Sequence, residues 1–431
     1  MSFSIAPMTR SPSIAIILMS VLAIGCSTLK IEEDETARKP AAACVFDSMF
    51  PNWNKELLIY HFYIGQGSST FIRTPSGTTI LIDAGLPGQG ETTISPLLKA
   101  CNITSLDYGM VSHPHIDHFG GWTGILKAGI KVGTFYTPTL DNDNTPGKPG
   151  EWFDFINNVK KMVPGGFHFP VLGLTSLLDK DLKNGVKFEI LAVNGKTAGD
   201  GKGSTSGKGL LNTVNIYKSP GVLKDCNSAS TAMVIHYKKF AYFEGGDLTS
   251  AGAGDKGGKL PLEENVAAVV KHVDVFHSNH HGSDTSNSEV LLHELSPTYS
   301  IVSVGIKGTN GDNTNKMPDG ELVDKTRGFH LPNVEALNRM GEYSKAIYMT
   351  SKGETASWTP DDTKLFGVDI LKDPSVTARD KIIINGKNDI RDGTIVPGEN
   401  DIMLVTDGSK FSILGKYIDA SHSGPFNATA N

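Results

Sequence analysis

The sequence predicts an α+β fold with a β-rich C-terminal extension. Three observations carry this. From Glu56 onward, short β-rich runs alternate with segments of helical spacing. The chain holds 47 Gly and 22 Pro without a G-X-Y period, so it turns often between elements. Hydrophobic residues make up 39% of 431, enough for a sizeable core and too many for wholesale disorder.

The elements follow in order. Leu57 to Ile64 is apolar and β-rich and breaks at Gly65-Gln66-Gly67. Thr70 to Arg73 and Thr78 to Asp83 flank the turn Pro75-Ser76-Gly77 and read as a hairpin. Thr92 to Lys99 has helical spacing, and Leu106 to Ser112 is a strand running into a histidine cluster. Trp122 to Ala128 and Trp152 to Met162 are helical, with a strand at Lys131 to Tyr136 between them. Val186 to Val193 is a strand, and the Gly/Lys/Ser-rich Asn194 to Gly209 is a surface loop. Thr231 to Ile235 and Phe240 to Phe243 form a second hairpin-like pair. Strands at His272 to Phe276 and Tyr299 to Val304 enclose a helix at Glu289 to Leu295. After Ala346 come short β-rich runs at Lys381 to Ile384, Asp401 to Thr406 and Phe411 to Leu414, the expected extension.

The N-terminus is an address. The apolar run Ile14 to Ile24 is too short to span a bilayer as an ordinary helix but suits a signal-peptide core. It ends at Gly25-Cys26, which resembles a bacterial lipoprotein signal with Cys26 as the lipidated residue. The expected organisation is a signal over 1–26, a charged tether over 27–54, a main domain over 55–345 and the extension over 346–431. The protein is then exported, on the periplasmic or extracellular face, and held to the membrane through lipidated Cys26 or else secreted. Four Cys exclude a disulfide-dense scaffold. Cys44, Cys101 and Cys226 allow one bridge and one thiol, and the sequence does not choose the pair.

His113-Pro114-His115-Ile116-Asp117-His118 is the strongest chemical feature. Imidazole and carboxylate suit zinc and similar first-row ions. In an extended segment residues two apart face the same way, so His113 and His115 can reach one ion. Asp117 and His118 serve a second ion if the chain turns, and Gly120-Gly121 gives room for the turn. As structural residues, four such groups would each need a buried partner.

On this motif the chain resembles the metallo-β-lactamase-fold hydrolases, whose central pattern is His-x-His-x-Asp-His after a strand. Gly65-Gln66-Gly67, Ile72 to Gly77, Ile80 to Gly85, Phe243 to Asp247, Asn279 to Ser283 and Gly328 to Pro332 extend the likeness in order over residues 57 to 340. They look like the branch that holds the soluble domain of ComEC-type DNA-uptake channels and bacterial phosphorylcholine esterases. The resemblance implies a four-layer αββα sandwich and two divalent ions, zinc or manganese. His113, His115 and Asp247 would hold the first ion. Asp117, His118, Asp247 and His281 would hold the second. Asp83 would accept from a ligand imidazole. Asp117 would orient the attacking metal-bound hydroxide, His280 and His330 would serve the phosphoryl oxygens or leaving group, and Ser283 would bond substrate.

This chain departs from the branch at Tyr63 and Ser68, which stand where acids are usual. It also has Cys226-Asn227-Ser228 where many members carry a further His ligand. Asn227 agrees with the branch but leaves the first ion short of a ligand, so single-ion occupancy is the alternative. The expected activity is hydrolysis of a small-molecule or polymer phosphoester. A net charge of -6 weakens a nucleic-acid partner, while Lys196 to Lys224 is locally basic. The alternatives are a lactonase or β-lactamase-type carbonyl hydrolase and a non-catalytic binding protein with a degenerate site. The fold's di-iron oxygen reductases carry Glu at the position of His115, which separates them from this chain.

Overall fold

The computed structural model describes residues 43–138, 149–175, 185–198, 226–251, 260–305, 330–358, 365–384, 400–414 and 416–420. The signal with Cys26, the tether up to residue 42, most of the lysine-rich loop, Gly328 and Phe329 lie outside them.

Two large mixed sheets face each other. The first contains β1 (Leu57–His61), β2 (Thr70–Arg73), β3 (Thr79–Ile82), β4 (Ser105–Met110), β5 (Lys131–Tyr136) and β6 (Phe167–His168). The second contains β7 (Gly173–Thr175), β8 (Val186–Val193), β9 (Lys196–Thr197), β10 (Ala232–Tyr237), β11 (Phe240–Glu244), β12 (Val275–His277), β13 (Tyr299–Val302) and β14 (Ala346–Met349). A separate antiparallel pair, β15 (Glu354–Trp358) and β16 (Leu365–Asp369), follows. β17 (Ile382–Ile384) then joins the second sheet beside β14. β18 (Ile402–Thr406), β19 (Lys410–Ile413) and β20 (Lys416–Asp419) return to the first, in the order β20-β19-β18-β1-β2-β3-β4-β5-β6.

The eight α-helices of the described residues are α1 (Val45–Met49), α2 (Ser95–Ala100), α3 (Ile116–Phe119), α4 (Trp122–Lys127), α5 (Pro149–Met162), α6 (Leu262–Ala267), α7 (Glu289–Leu295) and α8 (Val334–Tyr343). Burial divides into three apolar layers. Leu57, Ile59, Ile72 and Ile80 of the first sheet meet Phe188, Met233, Ile235 and Tyr242 of the second. Leu58, Tyr60, Phe71 and Leu81 point the other way, onto Leu98, Trp122 and Phe155 of α2, α4 and α5. Val234, Phe243 and Phe276 pack outward against Leu262, Leu291 and Leu337 of α6, α7 and α8. Successive residues of β1 and β10 thus enter different cores, the period-two signature of strands covered on both faces. Three cores between four layers make the expected αββα sandwich.

The C-terminal stretch is β-rich as expected, but apart from the β15–β16 pair its described strands join the two large sheets. β18 pairs with β1 over five registers, Leu57 opposite Thr406 through His61 opposite Ile402. The first expected hairpin is the antiparallel β2–β3 pair, and the second is β10–β11. The cysteine pair left open by sequence is Cys44–Cys101, which ties α1 to the end of α2; Cys226 is a buried thiol. No helix of the described residues is long and apolar enough to cross a membrane.

Topology puts chemistry at one edge. β3, β4 and β5 run parallel in the first sheet, and β11 to β14 run parallel in the second. Loops leaving the C-terminal ends of parallel strands are where such sheets build sites. Here those loops carry Asp83, His113 to His118, Asp247 and His280–His281.

Candidate metal centre

The histidine motif leaves β4 extended and then winds. His115 has φ -96 and ψ 147 and caps α3, whose first residues are Ile116, Asp117 and His118. This turn lets the four groups face two directions. The glycine-rich loop after β1 and the loop after β3 both bond this turn. Ser68 N–H donates to the Asp117 carbonyl at 3.3 Å, and Ala84 N–H to the His118 carbonyl at 2.7 Å. Gly67 has φ +129, and a Cβ there would stand 2.5 Å from the Asp117 carbonyl oxygen, so glycine is required.

Two ligand groups result: His113, His115 and Asp247, and Asp117, His118 and His281. Within the first, His113 Nε2 is 3.0 Å from His115 Nδ1 and 3.5 Å from Asp247 Oδ2. Within the second, His281 Nε2 is 3.2 Å from His118 Nε2 and 3.5 Å from Asp117 Oδ2. Asp247 joins them, since its Oδ1 lies 3.2 Å from His118 Nε2 and 3.6 Å from His281 Nε2. Donors bound about 2.0–2.2 Å from one tetrahedral ion stand roughly 3.3–3.6 Å apart. The separations here, 3.0–3.6 Å, lie at or just below that spacing, and the donor types suit divalent ions, with Asp247 facing both groups.

The rings are oriented from behind. Asp83, at φ +59 after β3, accepts from His118 Nδ1–H at 2.8 Å, from Ser112 N–H at 2.7 Å and from Ser112 Oγ–H at 2.7 Å. His281 Nδ1–H donates to the Ser303 carbonyl at 2.9 Å. Each bond commits Nδ1 as the donor and leaves Nε2 for an ion.

Charge is concentrated at this centre. Burial would push the His118 imidazole down, but Asp247, Asp83 and Asp117 outweigh it and hold it well above its ordinary value. His281 is raised in the same way, against burial, by Asp247 and Asp117. Burial would raise the Asp117 carboxyl, yet His118 and His281 hold it well below the usual carboxylate range. Asp247 is likewise lowered against burial, by His118, His281, His113 and His280. His113, buried and beside His118, is pushed down. Burial raises Asp83, with His118 opposing.

The remaining expected residues lie around this centre. His280 Nε2 is 3.8 Å from Asp247 Oδ2 and 3.2 Å from Asn227 Nδ2, and its Nδ1 is 3.0 Å from Thr285 Oγ1. Asn227 thus reaches the site through His280. Ser283 Oγ bonds Thr285 Oγ1 at 3.0 Å, inside its own turn. His330 is buried just before Leu331–Pro332, where Pro332 packs on Gly282. Cys226 belongs to neither ligand group.

Several supporting residues escaped the sequence reading. Buried Glu263 accepts from Asn279 Nδ2–H, Asn287 N–H and Ser288 N–H, each at 2.7 Å, and so holds the loop that carries His280 and His281. Both histidines have left-handed backbone, φ 49 and φ 52, a conformation that persists only when the surroundings fix it. His61 and His277, which lie outside the sequence motifs, are buried between the sheets in a polar network. A run of Asn, Ser and Glu near the His-His pair is the only sequence signal for the loop-holding groups, and it names no partner.

The family pattern described as the metallo-beta-lactamase superfamily matches residues 63–211. The chain carries a metallo-β-lactamase superfamily domain. Competence protein ComA of Neisseria gonorrhoeae is 25% identical over 245 residues, 56% of this chain and 26% of that protein. Recombination protein 2 of Haemophilus influenzae is 26% identical over 261 residues, 59% of this chain and 24% of that protein. The chain spans about a quarter of the length of these relatives. Among solved structures, CmlA, a diiron beta-hydroxylase from Streptomyces venezuelae, aligns at 15% identity and TM-score 0.34 over 58% of this chain and 45% of that one. MEM-A1, a subclass B3 metallo-beta-lactamase from a soil metagenome library, aligns at 15% and 0.30 over 55% and 79%.

Proposed function

We propose that this protein is a metal-dependent hydrolase of phosphodiester-type substrates that works with two divalent ions, zinc in the first instance. The observation that carries the reading is Asp247, whose two oxygens face two separate ligand groups. When bound, paired divalent ions bring the pKa of a shared water toward neutrality and hold negative charge on substrate oxygens. The residues supply the rest. His113, His115 and Asp247 would hold one ion, and Asp117, His118 and His281, with Asp247, the other. Asp117 is 24% exposed, so its carboxylate can accept from and orient the attacking water as well as bind. His280 is 22% exposed and held by Asn227 and Thr285, in reach of a proton transfer to the leaving group.

The ordered motifs and the two relatives, named for competence and recombination, favour a phosphodiester over a carbonyl substrate. The apolar run before Cys26 supports export and a lipid anchor on the outer face of the membrane. The test uses purified full-length protein, with metal content measured and hydrolysis followed on bis-p-nitrophenyl phosphate, single-stranded DNA, a lactone and a β-lactam. About two ions per chain and chelator-sensitive phosphodiester hydrolysis are expected. Activity on the carbonyl substrates alone overturns the phosphodiester assignment. A metal-free protein inert on every substrate overturns the enzyme. His280→Ala and His330→Ala, with metal content checked, sort the two candidates for proton transfer.

A further inference from the structure

Within the largely apolar layer between the sheets, a chain of buried polar groups runs toward the metal centre. Glu244, at the end of β11, is buried, and its Oε1 accepts from His277 Nδ1–H at 2.8 Å. His277 Nε2 is 2.9 Å from Ser303 Oγ. The carbonyl of the same Ser303 accepts from His281 Nδ1–H at 2.9 Å. On its other side, Glu244 Oε2 accepts from Tyr242 O–H at 2.7 Å and Thr70 O–H at 3.3 Å. The Gly246 N–H, in the left-handed turn that presents Asp247, faces this carboxylate and, against burial, helps His277 and Tyr242 to hold it below its ordinary value. That turn touches the histidine loop directly, because His280 N–H donates to the Gly246 carbonyl at 3.0 Å.

We propose that Glu244 and His277 are a positioning pair for the metal centre. Through Gly246 the pair fixes the turn that aims Asp247. Through Ser303 it fixes the carbonyl that aims His281. One buried carboxylate then sets the angle between the shared ligand and a ligand of the second ion. A charged group in an apolar layer is costly unless fully partnered, and this one is partnered toward the site on both sides. Two β-sheets need no buried carboxylate to pack, and aliphatic and aromatic side chains fill most of this layer.

This inference rests on the metal reading above, and its test separates the two. Full-length protein is titrated with Co²⁺ against a chromophoric chelator, and the visible cobalt bands report ligand geometry. His277→Phe keeps bulk and burial but cuts both hydrogen bonds; His277→Gln is smaller but can still bridge. We expect His277→Phe to weaken binding of one of the two ions about 10–100-fold, with altered bands, and His277→Gln to recover part of it. Ser303→Ala, a minimal change that breaks only the Oγ link, should move binding in the same direction if His277→Phe does not fold. Ser300→Ala, which removes a buried hydroxyl bonded to Ser344 Oγ and outside the network, should leave both affinities unchanged. A purely structural role gives the opposite order, with Phe filling the space and retaining both ions better than Gln. Two-ion binding in the wild type with unchanged affinities and bands in folded His277→Phe or in Ser303→Ala overturns the positioning pair alone. A wild-type chain that takes up no ion overturns the metal reading and this pair with it.

Discussion

Replacing Asp83 by Asn isolates the charge behind His118 from everything else at that position. Asp83 has φ +59, a region that Asn enters far more readily than Ala, so the backbone tolerates the change. The side chains have the same shape. Oδ1 takes the Ser112 N–H, and Oδ2 takes both the Ser112 hydroxyl and His118 Nδ1–H. An amide offers one oxygen. If that oxygen stays on Ser112 N–H, the new NH₂ opposes His118 Nδ1–H, donor against donor. The imidazole relieves the clash by moving its proton to Nε2, the atom that stands 3.2 Å from His281 Nε2 and would bind the second ion. The ion must then reverse the tautomer before binding. Loss of such a supporting bond costs about 10–100-fold in metal affinity, or about 1.4–2.7 kcal/mol. Competition titration of Zn²⁺ should show one ion weakened by this factor and the other, held by His113 and His115, little changed. Equal affinities for both ions in Asp83→Asn and wild type would refute the tautomer argument.

Asp247→Ala removes the carboxylate that faces both groups and should take metal content toward zero, whereas His115→Ala should spare the second ion; both should abolish phosphodiester hydrolysis, as metal analysis beside the rate will check. In metal-free protein the raised His118 and His281 contribute stability that is complete below their ordinary value of 6.5 and fades as pH rises through the folded values. The lowered Asp117 and Asp247 contribute stability present above 3.8 and lost as pH falls through theirs. Chelator-treated protein should therefore be most stable between these two limits, while metal affinity should rise with pH because ions displace the histidine protons; denaturation midpoints across pH, with and without chelator, test the sign. Gly67→Ala should cost about 1–3 kcal/mol, because its Cβ meets the Asp117 carbonyl at 2.5 Å, and a wild-type midpoint would refute that. Cys44→Ser with Cys101→Ser opens a closure of 57 residues and should lose about 2–4 kcal/mol in a denaturant titration.

How much of this was legible in the sequence depended on distance along the chain. His113 to His118 is a local pattern, and the structure brings all four of its ligand candidates together within one extended stretch and one turn. Asp83 was legible because a strand ended there, although nothing in the sequence named His118 as its partner. Ser303 was illegible for a physical reason: it orients His281 with its backbone carbonyl, which every residue has. Glu263 lies on a short helix and acts on residues 279 to 288, a partnership set by packing and not by spacing. The same holds for the C-terminal strands. Their β character was plain, but the pairing of β18 with β1 joins residues about 345 apart in sequence, which propensity does not encode.

That long-range pairing bears on the site itself. Asp401, just before β18, accepts from Tyr60 O–H and from Tyr63 N–H, both at 2.5 Å. Tyr63 opens the loop whose Ser68 and Gly67 close on the Asp117 carbonyl. Tyr63 is also one of the two positions where the sequence departs from the branch by lacking an acid. In this chain a carboxylate nevertheless reaches that backbone, supplied by the last third of the sequence and buried on the first sheet. The tie between the C-terminal strands and the glycine loop therefore runs from β18, through Asp401 and Tyr63, to the turn that separates the two ligand groups. Asp401 and β18 thus belong to the architecture of the centre, because they anchor the loop whose Ser68 bonds the Asp117 carbonyl.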